Sequence, residues 1–194
     1  MIAIIDYGLG NIKNIERALL HLGYDAILTS DEETIKNSTH VILPGVGHFK
    51  DAMKQLTSSG LDKVIKDIKD THKIIGICLG MQVLFEYSAE GSTKGLNLLQ
   101  GNVIPIESPY PVPHLGWNNL QSEHPLLDGD VYFIHSYHVS TDLPIVATAD
   151  YGQPITAIVQ HKNIIGIQFH PEKSGDYGLK ILDQALKEGF FLND

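Results

Sequence analysis

Three short apolar runs in the first half of the chain, "IAIIDY" from Ile2, "HVILPG" from His40 and "KIIGI" from Lys73, each lead into a glycine-bearing turn and then into a helix-like pattern. Runs this short and this rich in β-branched residues read as strands buried on both faces. Strand, turn and helix in repetition dictate a parallel sheet, because neighbouring parallel strands need a crossover and the helix supplies it. After the first run, Ile12, Ile15, Leu19 and Leu22 recur at helical spacing, and Gly23 follows as a C-cap. "DAILT" reads as a further strand. The pattern predicts a helix over 50–69, interrupted near Ser58-Ser59-Gly60, and another over "MQVLFEYS". From about residue 95 strand-like segments follow one another: "GNVIPI", "VYFIHSYHV", "PIVATAD", "PITAIVQHKN" and "IIGIQFH". A last helix, "YGLKILDQALKEG", closes the chain. The expected class is α/β. Residues 1–194 should form a single doubly wound domain with a central, mostly parallel sheet flanked by helices, plus an antiparallel or mixed extension in the C-terminal half.

Composition narrows the function. A formal net charge of −9 with no Lys/Arg run argues against nucleic acid. No apolar stretch reaches the ~20 residues that span a bilayer, and the first residues lack the basic start of a signal peptide. The one cysteine excludes an internal disulfide and a multi-cysteine zinc site. These features predict a cytoplasmic protein without membrane attachment, metal or cofactor.

That one cysteine, Cys78, sits in "GICLG", between a strand and a helix-like segment. G-x-C-x-G has the construction of a nucleophile elbow: small residues on both sides let the chain reverse sharply and lift the nucleophile out of the sheet. A sulfur at a helix start is favoured as thiolate, and the Leu79 N–H is placed to meet an oxyanion. The alternative is a small buried hydrophobe. A nucleophilic thiol needs a base, and "QFHPE" offers His170 with Glu172 two places on. Side chains two apart in an extended segment point the same way, and Pro171 favours extended backbone at His170. Glu172 can then orient the imidazole while its other nitrogen faces the thiol. A surface turn is the alternative.

"LPGVGHF" supplies a third element. Its glycines let backbone N–H groups turn toward a ligand, so Val46 or Gly47 is a candidate second oxyanion donor. It lacks the lysine of a phosphate loop, and "GLGNIK" at 8–13 lacks the third glycine of a dinucleotide fingerprint. The ten histidines include no H-E-x-x-H. His135 and His138, on one expected strand, should point to opposite faces.

Together "GICLGMQ", "LPGVGHF" and "QFHPE", in this order and spacing, resemble the class I, triad-type glutamine amidotransferases. The opening "IAIIDYGLGNIKNIERAL", with "PHLGWN", "HSYH" and "FHPEKSG", is similar to a branch whose glutaminase subunit feeds a cyclase of histidine biosynthesis. The resemblance spans essentially the whole chain. It implies that Cys78 attacks the glutamine side-chain amide, that His170 moves protons and that Glu172 orients it. It implies an oxyanion site between Leu79 and the loop of Val46 and Gly47. Gln82, Glu90 and Ser136 would hold the amino and carboxylate ends of glutamine. Gln82 and Glu90 could instead be solvated, and Ser136 locally bonded. "LFEYSAEG" departs from the family's more acidic pattern at Tyr87 and Ala89 but keeps Glu90; His138 is also unexpected. No second active site fits in this length, so ammonia should pass to a partner, a (β/α)8-barrel cyclase subunit in a heterodimer. Trp117, Asn118, Tyr132 and Lys173 would lie near that interface. A free-standing thiol hydrolase, or a binding module on the same scaffold, is the competing expectation.

Overall fold

The computed structural model describes residues 1–9 and 12–191; Gly10 and Asn11 of the "GLGN" turn lie outside the described residues. Its first half alternates as the apolar runs require. Strands β1 (Ile2–Ile5), β2 (Ala26–Thr29), β3 (His40–Leu43) and β4 (Lys73–Ile77) are interleaved with α1 (Ile12–His21), α2 (Glu32–Lys36), α3 (Phe49–Ser58) and α4 (Leu61–Ile68). After the elbow come α5 (Leu79–Gln82) and the short β5 (Tyr87–Ser88) and β6 (Thr93–Lys94). The second half contributes β7 (Asn102–Pro105), β8 (His114–Asn119), β9 (Asp130–His135), β10 (Tyr137–Ser140), β11 (Ile145–Asp150), β12 (Pro154–His161) and β13 (Ile164–Ile167). A 3-10 turn at Pro171–Lys173 leads into α6 (Gly175–Lys187).

The central sheet has seven strands in the order β11-β12-β13-β4-β3-β1-β2. It is parallel from β13 to β2 and antiparallel at the β11–β12–β13 edge. The expected α/β class with an antiparallel extension is therefore what the chain builds. Alternation along each strand feeds two cores. Ile2, Ile4, Ile42, Ile75 and Ile77 face α1 and α6, while Ala3, Ile5, Val41, Leu43 and Ile74 face α3 and α4. This two-sided burial is why the strands read as continuous apolar runs. A four-stranded sheet, β10-β7-β5-β6, and the two-stranded β8–β9 ribbon stand beside it.

The helix expected over 50–69 is two helices, divided by Gly60 at φ 76°. The expected "MQVLFEYS" helix is a single turn. Carbonyls that would continue it are taken by later residues: Leu96 N–H donates to Val83, Leu98 to Leu84 and Gly95 to Glu86. Tyr87 and Ser88 are strand instead, paired with β6 and β7. "HSYH" is divided at Ser136, so His135 and His138 lie on different strands, both buried. Among the described residues no helix is long and apolar enough to cross a membrane.

Candidate active site

Cys78 follows β4 at φ 54° and ψ −114°, a conformation a non-glycine residue rarely holds. Its flanking glycines answer to space. A Cβ on Gly80 would lie 1.8 Å from the Leu43 carbonyl oxygen, and one on Gly76 would lie 2.5 Å from the Gly80 carbonyl oxygen. The turn is thus wedged against β3 by main-chain contacts that admit no side chain. A 2.7 Å bond from Cys78 N–H to the Ile167 carbonyl ties it to β13. Backbone strain of this kind persists where the surroundings over-determine it, and it concentrates at functional sites. Because α5 is one turn long, the sulfur gains little from an extended helix dipole. The N–H groups of Leu79, Val46 and Gly47, residues that line the same cavity, carry no hydrogen bond among the described residues.

β13 is the parallel neighbour of β4, with Ile167 in register with Ile77. His170 therefore arrives at the same sheet edge as Cys78, where open α/β sheets place their sites. Its backbone is extended, and its N–H is held by the Tyr132 carbonyl at 3.0 Å. Nδ1 meets Glu172 Oε1 at 2.8 Å, with both side chains almost wholly buried. Nε2 finds no hydrogen-bond partner among the described residues. Burial disfavours a charged imidazole here, but the Cys78 sulfur and the Glu172 carboxylate outweigh it and push the His170 pKa up to about 10. The charged form of His170 is thus favoured, with the Glu172 carboxylate orienting the imidazole from behind.

The sulfur opens on a cavity of about 470 Å³. Val46, Gly47, Leu79, Gln82, Glu90, Ser136 and Lys173 line it with Cys78. The structure thus gathers the expected pocket residues. Gln82 is buried, and its Nε2 donates to the Tyr137 carbonyl and to Gln168 Oε1, both at 3.0 Å. That leaves Oε1, an acceptor, for the cavity. Glu90 Oε2 accepts from Phe49 N–H at 2.8 Å, capping α3, so Glu90 is not a solvated loop residue. Ser136 is held through its main chain by Ile106 N–H at 2.9 Å, and its hydroxyl bonds nothing among the described residues.

The expected interface residues separate. Trp117 and Tyr132 are cross-strand neighbours on β8–β9, ring centroids 5.9 Å apart, and Trp117 is 59% exposed. Asn118 turns inward, donating to the Asp150 carbonyl at 2.9 Å. Lys173 belongs to the cavity wall.

Sequence reasoning missed two residues. Tyr7, at the end of β1, is buried and donates its hydroxyl to the Pro44 carbonyl at the root of the "PGVG" loop. Burial, with the Cys78 charge nearby, raises its pKa. Gln168 is fully buried with Nε2 3.8 Å from Cys78 Sγ. It stands two residues before His170 in an extended segment, so strand periodicity alone carried the signal.

The family model of glutamine amidotransferase class-I matches residues 3–188. Three relatives carry the name imidazole glycerol phosphate synthase subunit HisH. That of Staphylococcus saprophyticus is 63% identical over 98% of this chain and 96% of its own length. Those of Staphylococcus epidermidis and Staphylococcus aureus are 58% and 54% identical, each covering 100% of both chains. Among solved structures, a glutamine amidotransferase superposes with a TM-score of 0.79 at 18% identity, covering 96% of this chain and 98% of that one. PurLQS from Thermotoga maritima superposes at 0.72 with 19% identity, covering 95% and 96%. At such low identity these structures speak for the fold alone. With the family model matched nearly end to end, and full-length relatives above half identity, the chain belongs to the class-I glutamine amidotransferase family.

Proposed function

We propose that this chain is the glutaminase subunit of imidazole glycerol phosphate synthase, acting in histidine biosynthesis through one glutamine amidotransferase domain over residues 1–194. The observation that carries the reading is the strained Cys78 elbow at the His170–Glu172 pair, opening on a carboxylate-bearing cavity. Glutamine enters with its α-ammonium toward Glu90 and Gln82 Oε1, both acceptors, and its α-carboxylate toward Ser136 and the Lys173 ammonium. The Cys78 thiolate attacks the side-chain amide carbon. The oxyanion forms beside the N–H groups of Leu79 and of Val46 or Gly47. When the C–N bond breaks, His170 gives its proton to the departing nitrogen, and ammonia leaves behind a glutamyl thioester. Neutral His170 then takes a proton from water as that water attacks the thioester. The C–S bond breaks, glutamate leaves, and the ion pair is restored.

Ammonia released in water is protonated and diluted, so it is used by a bound partner: a (β/α)8-barrel cyclase subunit. The cyclase converts the phosphoribulosyl-formimino aminoimidazole carboxamide ribonucleotide into imidazole glycerol phosphate and the aminoimidazole carboxamide ribonucleotide. The surface supports a docking face beside the pocket. Leu115 and Trp117 on β8, with Ile134 and Tyr132 opposite them on β9, form an apolar outer face, and Ile134 also lines the cavity.

Cys78→Ala in the complex tests the reading. Glutamine-dependent synthesis should fall to background while synthesis from ammonium salts persists. Loss of both, with the fold intact, would make Cys78 structural. Glutamate release unaffected by any cyclase would favour a free-standing thiol hydrolase.

A further inference from the structure

We propose that Gln168 is a catalytic residue of this site: its side-chain N–H stabilises the Cys78 thiolate, and a buried hydrogen-bonded run fixes which end of its amide faces the sulfur. The proposal rests on the glutaminase reading for its biological sense, but not for its test.

A glutamine side chain can turn either end to a neighbour. The NH₂ end attracts a thiolate; the oxygen end repels it. Here the surroundings decide. The Tyr137 carbonyl can only accept, so Gln82 must present its NH₂ there. The same NH₂ donates to Gln168 Oε1 at 3.0 Å. That leaves the Gln168 NH₂ toward Cys78 Sγ at 3.8 Å, a length a sulfur acceptor allows. The same carbonyl anchors a second branch. His135 Nδ1 lies 2.8 Å from it and must donate. His135 Nε2 then accepts from His114 Nδ1 at 3.0 Å, and His114 Nε2 accepts from Asn118 Nδ2 at 3.2 Å. The two branches meet at the Tyr137 carbonyl, which accepts from both, and each bond from β8 to the nucleophile thus has a determined direction while both imidazoles are neutral. Their burial lowers the pKa of His135 to about 3 and of His114 to about 4.

The contacts at sulfur differ between its two forms. The thiol can donate to the Ile134 carbonyl, 3.8 Å away; the thiolate cannot. The N–H of Gln168 favours the thiolate. The ionisable groups around Cys78 are His170 with Glu172 behind it from the turn after β13, Tyr7 just past β1, His135 from β9 beside His170, and, across the cavity, Glu90 and Lys173. Gln168 is a side-chain donor among them that carries no charge.

The test is Gln168→Met in the full chain, which keeps length and removes the N–H. The readout is the rate of Cys78 alkylation by iodoacetamide against pH. The midpoint should move up by about one pH unit, which slows alkylation about tenfold at pH values below the wild-type midpoint. A purely structural role would lower the melting temperature and leave the midpoint in place, and that result overturns the proposal. The wild-type chain gives a second measurement that needs no variant at Gln168. Its Gln168 side-chain amide resonances should titrate with the alkylation midpoint, and Cys78→Ala should abolish that titration. Resonances indifferent to the midpoint would also overturn it. Absence of glutamine turnover by the wild-type chain in its complex would strike the glutaminase reading while leaving the alkylation midpoint measurable, so the two failures are distinguishable.

Discussion

Glu172 and His170 are both shut away from water, so the carboxylate acts on the imidazole almost unscreened. In the proposed mechanism His170→Ala removes the group that protonates the leaving nitrogen, so kcat should fall by about 10²–10⁴. Glu172→Gln leaves the base in place and should cost less. It also removes the charge that keeps His170 protonated, so the alkaline limb of kcat/KM should move to lower pH. A pH–rate series on both variants checks this; an unmoved limb in Glu172→Gln would remove Glu172 from the orienting role. The strained turn at Cys78 and the His170–Glu172 contact were legible in the sequence because each sits in a short contiguous stretch with its own local geometry. Gln168 was not. Its direction depends on the carbonyl of Tyr137, far along the chain, and on the amide of Gln82 between them.

Elements were legible where burial is two-sided. β1, β3, β4 and β13 stand where the apolar runs place them, because a strand buried on both faces has no other way to satisfy its main chain. The "MQVLFEYS" helix failed because residues 95–98 compete successfully for its carbonyls, a contest that local periodicity does not register. The "PGVG" loop is an element with two different glycines. A Cβ on Gly45 would meet the Tyr7 hydroxyl at 2.5 Å, so it is fixed by packing. Gly47 has open space but φ 112°, so it is required by conformation. Pro44 is anchored through Tyr7, and movement is confined to the peptides beyond it. If the Val46 or Gly47 donor is turned inward only when the partner holds its substrate, glutaminase turnover should rise by about 10²–10³ in that state, the worth of one oxyanion donor. Turnover would be measured for the isolated chain, for the complex, and for the complex with cyclase ligand. Equal rates in all three would show the donor already in place. Gly47→Val should blunt any rise.

At the scale of the molecule, the buried histidines set a pH window with two different edges. His135 and His114 are held neutral, with pKa values lowered to about 3 and about 4 by burial. Unfolded, each would take up a proton near pH ~6.5. Their contribution is therefore intact above that pH and is lost progressively as pH falls toward the folded values. His170 has the opposite sign. Its pKa is raised to about 10, so its contribution is intact below the unfolded value and is lost as pH rises through about 10. Thermal unfolding from pH 4 to 10 should show highest stability near neutrality. A melting temperature that climbs as pH drops from 7 to 5 would contradict neutral burial of the His114–His135 pair. The β8–β9 ribbon carries that pair on its inner side and leaves Leu115 and Trp117 more than half exposed on its outer side. If the proposed partner covers this ribbon, the subunit without it carries an exposed apolar face that can recruit other copies of itself. Synthesis in step with that partner would then protect the subunit as well as put it to use.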